Sequence, residues 1–209
     1  MARYTEARCR LCRREGAKLF LKGNRCVTEK CAVQKRATPP GMHTRSSSKA
    51  SYYSQQLREK QKVKRVYGML ERQFRRFFRT AAKAKGVTGR KLIELLERRL
   101  DNVVYRSLLA NSRSQARQYV FHGLIFINGK RVNIPSHWVR EGDNIELRPS
   151  DKLAVAVKDS AAAAAKERSV PTWLAATPEN LQAKIVRLPI KEDLVLPVNE
   201  QLIIELYSK

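Results

Sequence analysis

Acidic residues are scarce in this chain of 209, with 19 Asp and Glu against 43 Lys and Arg, a formal net charge of +24 at pH 7. Solubility needs far less than that, so the imbalance points to a polyanionic partner. Long apolar runs are lacking too. None approaches the roughly 20 residues that cross a bilayer, and the opening MARYTEARCR has no apolar core of a secretory leader. A cytosolic protein with no membrane partner is expected. Histidine is limited to His43, His122 and His137, scattered with no Ser, Cys or carboxylate at a spacing that suggests a nucleophile and its base. No Gly-rich phosphate loop of the Walker or dinucleotide type is present, nor any internal repeat. These absences weigh against an enzyme and against a small-molecule substrate.

Cysteine is also sparse, but its placement is informative. Cys9, Cys12, Cys26 and Cys31 form C-x2-C, thirteen residues, then C-x4-C. Each close pair offers two thiolates from one turn, and a tetrahedral zinc ion would close the loop between them. Four thiolates leave no open coordination position, so such a zinc is structural. An iron-sulfur cluster is the less favoured alternative, disulfides suit a cytosolic protein poorly, and unlinked thiols are the plainest reading. The neighbouring cations Arg8, Arg10, Arg13 and Arg14 are expected to lower the thiol pKa values. The segment to about Gly41 is poor in large apolar residues and needs a metal or RNA to order it.

The positive charge is unevenly placed. Residues 1–90 hold 25 basic and 5 acidic side chains, residues 91–150 hold 10 and 6, and residues 151–209 hold 8 and 8. An anion-binding surface should therefore be dominated by the first ninety residues, and the neutral tail should pack instead of bind.

After a polar stretch over 43–54, the apolar positions Val63, Val66, Tyr67, Leu70, Phe74, Phe77, Phe78 and Ala81 recur at helical spacing, with Gly68 breaking the run into two helices. Lys60, Lys62, Lys64, Arg65, Arg72, Arg75, Arg76 and Arg79 share these helices, mostly off the apolar stripe. Only Glu59 and Glu71 oppose them in the stretch. Unrelieved like charge destabilises a free helix, so a phosphate-facing surface is favoured over a solvated face. Thr88 is a candidate cap for the next helix, whose stripe Ile93, Leu96, Leu100, Val103, Val104 and Leu108 faces inward. The alanine-rich 151–168 favours a surface helix. Four prolines, Pro171, Pro178, Pro189 and Pro197, punctuate the tail, where Leu202–Leu206 reads as strand.

Residues 112–132, SRSQARQYVFHGLIFINGKRV, carry the most local information. Ser112 with Gln115 fits a capping box, so a helix starts there with Arg113 and Arg117 projecting from its first turns. Gly123 closes it, a short strand Leu124–Ile127 follows, and Asn128-Gly129 is a two-residue hairpin turn that needs positive φ at both positions. Lys130 and Arg131 come at once. A short basic helix running into a cationic hairpin is a nucleic-acid-binding unit.

This helix-hairpin resembles the core of the S-four RNA-binding domain. ERRLDNVVYRSLLA (97–110) is similar to that family's first helix and IPSHWVREGDNIEL (134–147) to its closing segment. LPIKEDLVLPVNEQLIIELYSK (188–209) and PPGMH (39–43) resemble the tail and N-terminal loop of the bacterial ribosomal S-four family, in its zinc-containing type. The resemblance implies an α+β fold: a helical domain with an N-terminal Cys-rich zinc module and an inserted S-four domain of helices plus a small antiparallel sheet. Expected boundaries are 1–45 for the module and its basic loop, 46–90 completed by 167–209 for the helical domain, and 91–166 for the S-four domain and following helix. Implied partners are small-subunit ribosomal RNA, neighbouring small-subunit proteins and messenger RNA where it enters the particle, with repression of the protein's own message in some bacteria. The implied action is to clamp a multi-helix RNA junction early in assembly.

The RNA-binding candidates are Arg10, Arg13 and Arg14, the eight cations from Lys60 to Arg79, and Ser112, Arg113, Gln115, Arg117, Asn128, Lys130 and Arg131. Tyr52 and Tyr53 are candidates to stack on bases, and Trp138 is expected in the core. Arg99-Leu100-Asp101 looks like the start of a pseudouridine synthase motif, but Asn102-Val103-Val104-Tyr105 does not continue it, and an Asp paired with a nearby Arg is the better reading. A zinc-finger DNA regulator is disfavoured because the charge is spread over many elements and the cysteine module lacks a histidine pair.

Overall fold

Ser51 starts the longest helix of the N-terminal half, its hydroxyl accepting a hydrogen bond from the Ser54 N–H at 3.2 Å. That helix, α3 (Tyr52–Val66), ends where Gly68 adopts φ of +61°, and α4 (Glu71–Lys83) follows. In the computed structural model residues 4–42, 50–165, 168–190, 193 and 198–208 are described. The chain divides into two compact units, Met1–Leu92 with Leu196–Lys209, and Ile93–Val195.

In the first unit, α1 (Cys9–Glu15), a 3-10 turn (Gly23–Cys26) and α2 (Ala32–Lys35) precede α3. The expected apolar stripe is largely realised: Val63, Val66, Tyr67, Phe74, Phe77 and Ala81 are buried, while Leu70 at the turn is exposed. Against α3 packs α9 (Glu200–Tyr207), which is helical where a strand is expected over Leu202–Leu206. Two local facts explain the difference. The Asn199 side chain caps the helix by accepting from the Gln201 N–H at 3.2 Å. At the other end the Tyr207 ring stacks on Phe78 with centroids 4.5 Å apart, and Ile203 is buried, so docking overrides the β-preference of Leu-Ile-Ile.

Thr88 is the first residue of α5 (Thr88–Glu97). The expected stripe from Ile93 to Leu108 is buried throughout, but it does not lie on one helix. At Arg99 the backbone is extended and forms an isolated antiparallel bridge with Trp138. Leu100 N–H donates to His137 O at 2.9 Å and Val139 N–H to Arg98 O at 3.0 Å, and α6 (Leu100–Arg106) begins only after this break. The backbone groups that a continuous helix would satisfy internally are satisfied across the loop instead.

α7 (Arg113–Phe121), β1 (Ile125–Ile127) and β2 (Lys130–Arg131) form the expected helix-hairpin, with Asn128 and Gly129 both at positive φ, 50° and 78°. β3 (Asn144–Leu147) pairs with β1, and α8 (Asp151–Ala165) is helical as its alanine run suggests, with Val157, Ala161 and Ala164 buried. The sheet does not stop there. β4 (Leu174–Thr177) and β5 (Gln182–Ile185) extend it to the antiparallel order β2-β1-β3-β5-β4, with Asn144 opposite Lys184 and Ile145 opposite Ala183. Residues 174–185 thus belong to the second unit and do not complete the helical domain, as the expected 167–209 boundary has it. The reason is the open edge of β3, which β5 covers while Ala183 and Ile185 enter the core. Trp173 is fully buried in that core, whereas Trp138, expected inside, is 37% exposed.

Candidate nucleic-acid interface

On α4 the residues Arg72, Arg75, Arg76 and Arg79 recur at i, i+3, i+4 and i+7, opposite the buried Phe74, Phe77 and Ala81. All four are exposed, and no ion pair engages them among the described residues. Lys83 continues the same face and is exposed as well. Sequence reasoning stopped one turn short of it, although the i+4 step from Arg79 signals it.

The four cations expected on α3 are differently placed. Lys60 Nζ lies 2.8 Å and Lys64 Nζ 3.0 Å from the Glu71 carboxylate, Lys62 pairs with Glu59 at 3.3 Å, and Arg65 pairs with Glu15. Burial pushes the Glu71 carboxyl up, but hydrogen bonds from Lys60, Lys64 and Tyr207 outweigh it and hold the group down to about 2. Tyr207 is raised by burial and by donating to Glu71 at 2.8 Å. Glu15 has a side chain only 2% exposed and also takes Arg58 at 3.4 Å, yet burial raises its pKa in spite of both arginines. Glu15 and Glu71 are thus spent inside the first unit, where they bind α1 to α3 and α3 to α4. Tyr52 and Tyr53 are exposed at the start of α3, and the Tyr52 hydroxyl bonds Glu205.

In the cysteine module the four thiols of Cys9, Cys12, Cys26 and Cys31 line one cavity with Lys22, Arg25 and Lys30, and none is in a disulfide. The thiols of Cys12 and Cys26 are pushed up, first by burial and then by the neighbouring cysteines. The expected lowering by Arg8, Arg10, Arg13 and Arg14 is not found for these two. Arg10 and Arg14 are exposed, and Arg13 donates instead to the carbonyls of Thr38 and Pro39 at 2.9 and 3.3 Å. As a donor set, four cysteine thiols lining one cavity suit a soft tetrahedral ion, and the Lys22 N–H donates to Cys26 Sγ at 3.3 Å. Among the described residues no group of three or more ligand side chains is drawn up around a metal position. Of the expected PPGMH loop, His43 lies outside the described residues.

The second unit holds its basic side chains through a buried network. Glu97 is fully buried and takes a bidentate pair from Arg106 at 3.1 and 2.9 Å. Arg99 forks onto Asp101 at 3.0 and 2.6 Å, and Arg117 Nη1 reaches the same carboxylate at 3.1 Å. Asp101 is therefore the paired aspartate expected, not an exposed nucleophile. Asn102 links Glu97 to a further arginine: its Nδ2 donates to Glu97 Oε2 at 2.8 Å and its Oδ1 accepts from Arg113 Nε at 2.8 Å. Four guanidinia around two carboxylates leave the cluster net positive. Asn102 is a residue sequence reasoning passed over.

Around the hairpin, several candidates have structural duties. Ser112 Oγ accepts from Gln115 N–H at 3.3 Å, but the Gln115 side chain accepts from Asn111 N–H instead of closing the capping box. Asn128 Nδ2 donates to Asp143 at 2.9 Å and its Oδ1 accepts from Asn144 N–H, tying the turn to β3. Arg131 Nη2 donates to His122 O at 3.1 Å, at the carbonyl end of α7, where a cation is favoured. Lys130 is exposed beside it.

A basic helical face and a helix-hairpin with cations on its rim define an RNA-binding protein built around an S4 domain. Residues 3–97 match the family described as ribosomal protein S4/S9 N-terminal domain, and residues 98–145 match the S4 domain. The chain is 56% identical to the small ribosomal subunit protein uS4 of Thermodesulfovibrio yellowstonii and 55% to that of Dictyoglomus turgidum, each over 209 residues and the whole of both chains. The chain belongs to the uS4 family of ribosomal proteins.

Proposed function

We infer that this protein is a structural constituent of the small ribosomal subunit that binds the subunit's ribosomal RNA directly and acts in the cytoplasm, where ribosomes work. The observation that carries the reading is the α4 face, where Arg72, Arg75, Arg76, Arg79 and Lys83 stand exposed and unpaired among the described residues in a chain of net charge +24. Such a face neutralises phosphates and releases their counterions, which gives affinity without base readout. Together with Lys130 and Arg113, it can hold RNA helices that repel one another, which is how a junction is clamped early in assembly. Neighbouring small-subunit proteins are partners in the same particle. The excess positive charge supports a messenger strand as a further partner where it enters. The role is structural and involves no catalysis.

Zinc at Cys9, Cys12, Cys26 and Cys31 belongs to the same reading, with an iron-sulfur cluster as the alternative that metal analysis separates. The ion would bind the four sulfurs as thiolates and close the loop between the two turns. Support comes from the four thiols sharing one cavity free of disulfides.

The test is binding of the purified protein to small-subunit ribosomal RNA, transfer RNA and duplex DNA across a salt series. Ribosomal RNA binding that outlasts the others as salt rises is the expected result. Affinities that collapse together would reduce the charge to nonspecific attraction.

A further inference from the structure

Ala116, Tyr119 and Val120 make the buried stripe of α7, at i, i+3 and i+4. Phe121 stands about 100° further round the helix than Val120 and leaves that stripe. It is 64% exposed, the most exposed Phe, Tyr or Trp among the described residues. A lone exposed apolar side chain is ordinary, but the surroundings of this one are cationic. His122 packs against the ring with centroids 6.3 Å apart and planes at 77°. Arg131 Nη2 donates to the His122 carbonyl at 3.1 Å, which brings its guanidinium to the residue next to Phe121. That carbonyl is uncharged, so Arg131 keeps its charge. Lys130 precedes it on β2; both are exposed, and no carboxylate pairs with either among the described residues.

An apolar pocket of a protein partner would have to desolvate these two cations in order to cover the ring, a costly step. A nucleotide meets no such conflict, because its phosphate attracts the cations while its base offers a π-face to the ring. A base within a duplex is already stacked on its neighbours, so the occupant is an unpaired nucleotide. We propose that Phe121 stacks on an unpaired RNA base that the phosphate contacts of Lys130 and Arg131 bring to the end of α7. The inference rests on the RNA-binding reading above and deepens it. That reading assigns contacts to phosphate, and this one adds a contact to a base.

The experiment titrates the full chain against small-subunit ribosomal RNA across a potassium chloride series, with Phe121→Ala, Phe121→Leu and Phe121→Trp beside the unaltered protein. Leu keeps much of the apolar bulk without a π-face, and Trp keeps the face. The expected result is affinity about fivefold to a hundredfold weaker for Ala and for Leu, with Trp holding it. A stacked base releases no counterions, so the slope of log affinity against log salt should be the same in all four proteins. RNA should also quench the emission of Phe121→Trp beyond any change in the unaltered chain, whose own tryptophans are Trp138 and Trp173.

Full affinity in Phe121→Ala overturns the proposal. So does full affinity in Phe121→Leu, which makes the contact apolar and not stacked, and so does a Phe121→Trp protein as weak as the alanine variant. A shallower slope in Phe121→Ala overturns it too, since the loss then lies in phosphate contacts. Should the alanine variant not fold, the emission of Phe121→Trp decides: excess quenching supports the stack and its absence overturns it. Failure of the underlying reading looks different, because the unaltered protein itself would then show no preference for ribosomal RNA.

Discussion

Arg117 Nη1 lies 3.1 Å from Asp101 Oδ2, on a carboxylate that Arg99 already grips in a fork, and Asp101 is buried. Arg117 was expected as an RNA contact alongside Arg113, but its position makes it first a counter-ion. Arg117→Ala should cost about 2 kcal/mol of stability, the value of a charge-assisted hydrogen bond at a buried group. It should leave the salt dependence of RNA binding nearly unchanged. Arg113→Ala, which removes a cation named above as an RNA contact and whose Nε donates to Asn102 at 2.8 Å, should shallow the slope by about 0.7 to 0.9. Thermal melts and a salt titration of the two single variants separate the roles.

The contrast shows where sequence reading succeeds. Gly68, Ser112, Gly123 and Asn128-Gly129 act through local backbone chemistry, and the elements they delimit are found where the sequence places them. The continuous helix over 88–108 and the strand over 202–206 fail for the opposite reason. Arg99 leaves the helix to pair its backbone with Trp138, and α9 is fixed by Tyr207 stacking on Phe78, contacts that bring together residues far apart in the chain. The basic face was legible as composition, but which cations it spends internally was not. Glu15 takes Arg65 across fifty residues of sequence, and no spacing rule reaches that far.

The Gly123 position carries a second prediction. Its φ is +70°, and a Cβ there would collide with the guanidinium of Arg131, which lies across the end of α7. Gly123→Ala should cost about 1 to 2 kcal/mol from the left-handed backbone alone. It should also drive Arg131 off the His122 carbonyl. Comparison of its melting temperature with that of Arg131→Ala tests this: the glycine variant should be the less stable of the two.

Acid should loosen α9. The folded Glu71 carboxyl is held down to about 2 from an ordinary 4.5, so its bonds to Lys60, Lys64 and Tyr207 stabilise the fold fully above pH 4.5. That contribution is lost as the pH falls from 4.5 through 2, where the folded group takes up its proton. Near-ultraviolet circular dichroism of the packed Tyr207 ring should follow this window, and Glu71→Gln should remove it while lowering stability at neutral pH. A window unchanged in Glu71→Gln would assign the transition to other carboxylates.

Substitution on α4 tests the surface assignment directly. Arg72→Ala with Arg76→Ala removes two exposed charges without touching Phe74 or Phe77, so the melting temperature should hold while the salt slope falls by about 1.4 to 1.8. Lys60→Ala with Lys64→Ala should behave oppositely, because both side chains serve Glu71: stability falls and the slope changes little. A slope that drops equally in both pairs would return the α3 lysines to the RNA surface.

Loss of the proposed ion should affect one unit and spare the other. Cys12 and Cys26 are buried thiols raised by burial and by their neighbours, an arrangement that a divalent ion stabilises only by taking their protons. Glu15 follows Cys12 on α1 and grips Arg58 and Arg65 on α3, so loss of the module also releases two cations of the helical unit. Cys9→Ser, or a chelator, should therefore raise amide hydrogen exchange over residues 4–42 and at Arg58 to Arg65. The core of the second unit, from Leu100 to Ile185, should keep its protection, because that cluster contains none of the cysteines. Faster exchange across both units would show that the module is needed for the whole fold, and unchanged exchange over 4–42 with no metal lost would leave the four thiols without an ion.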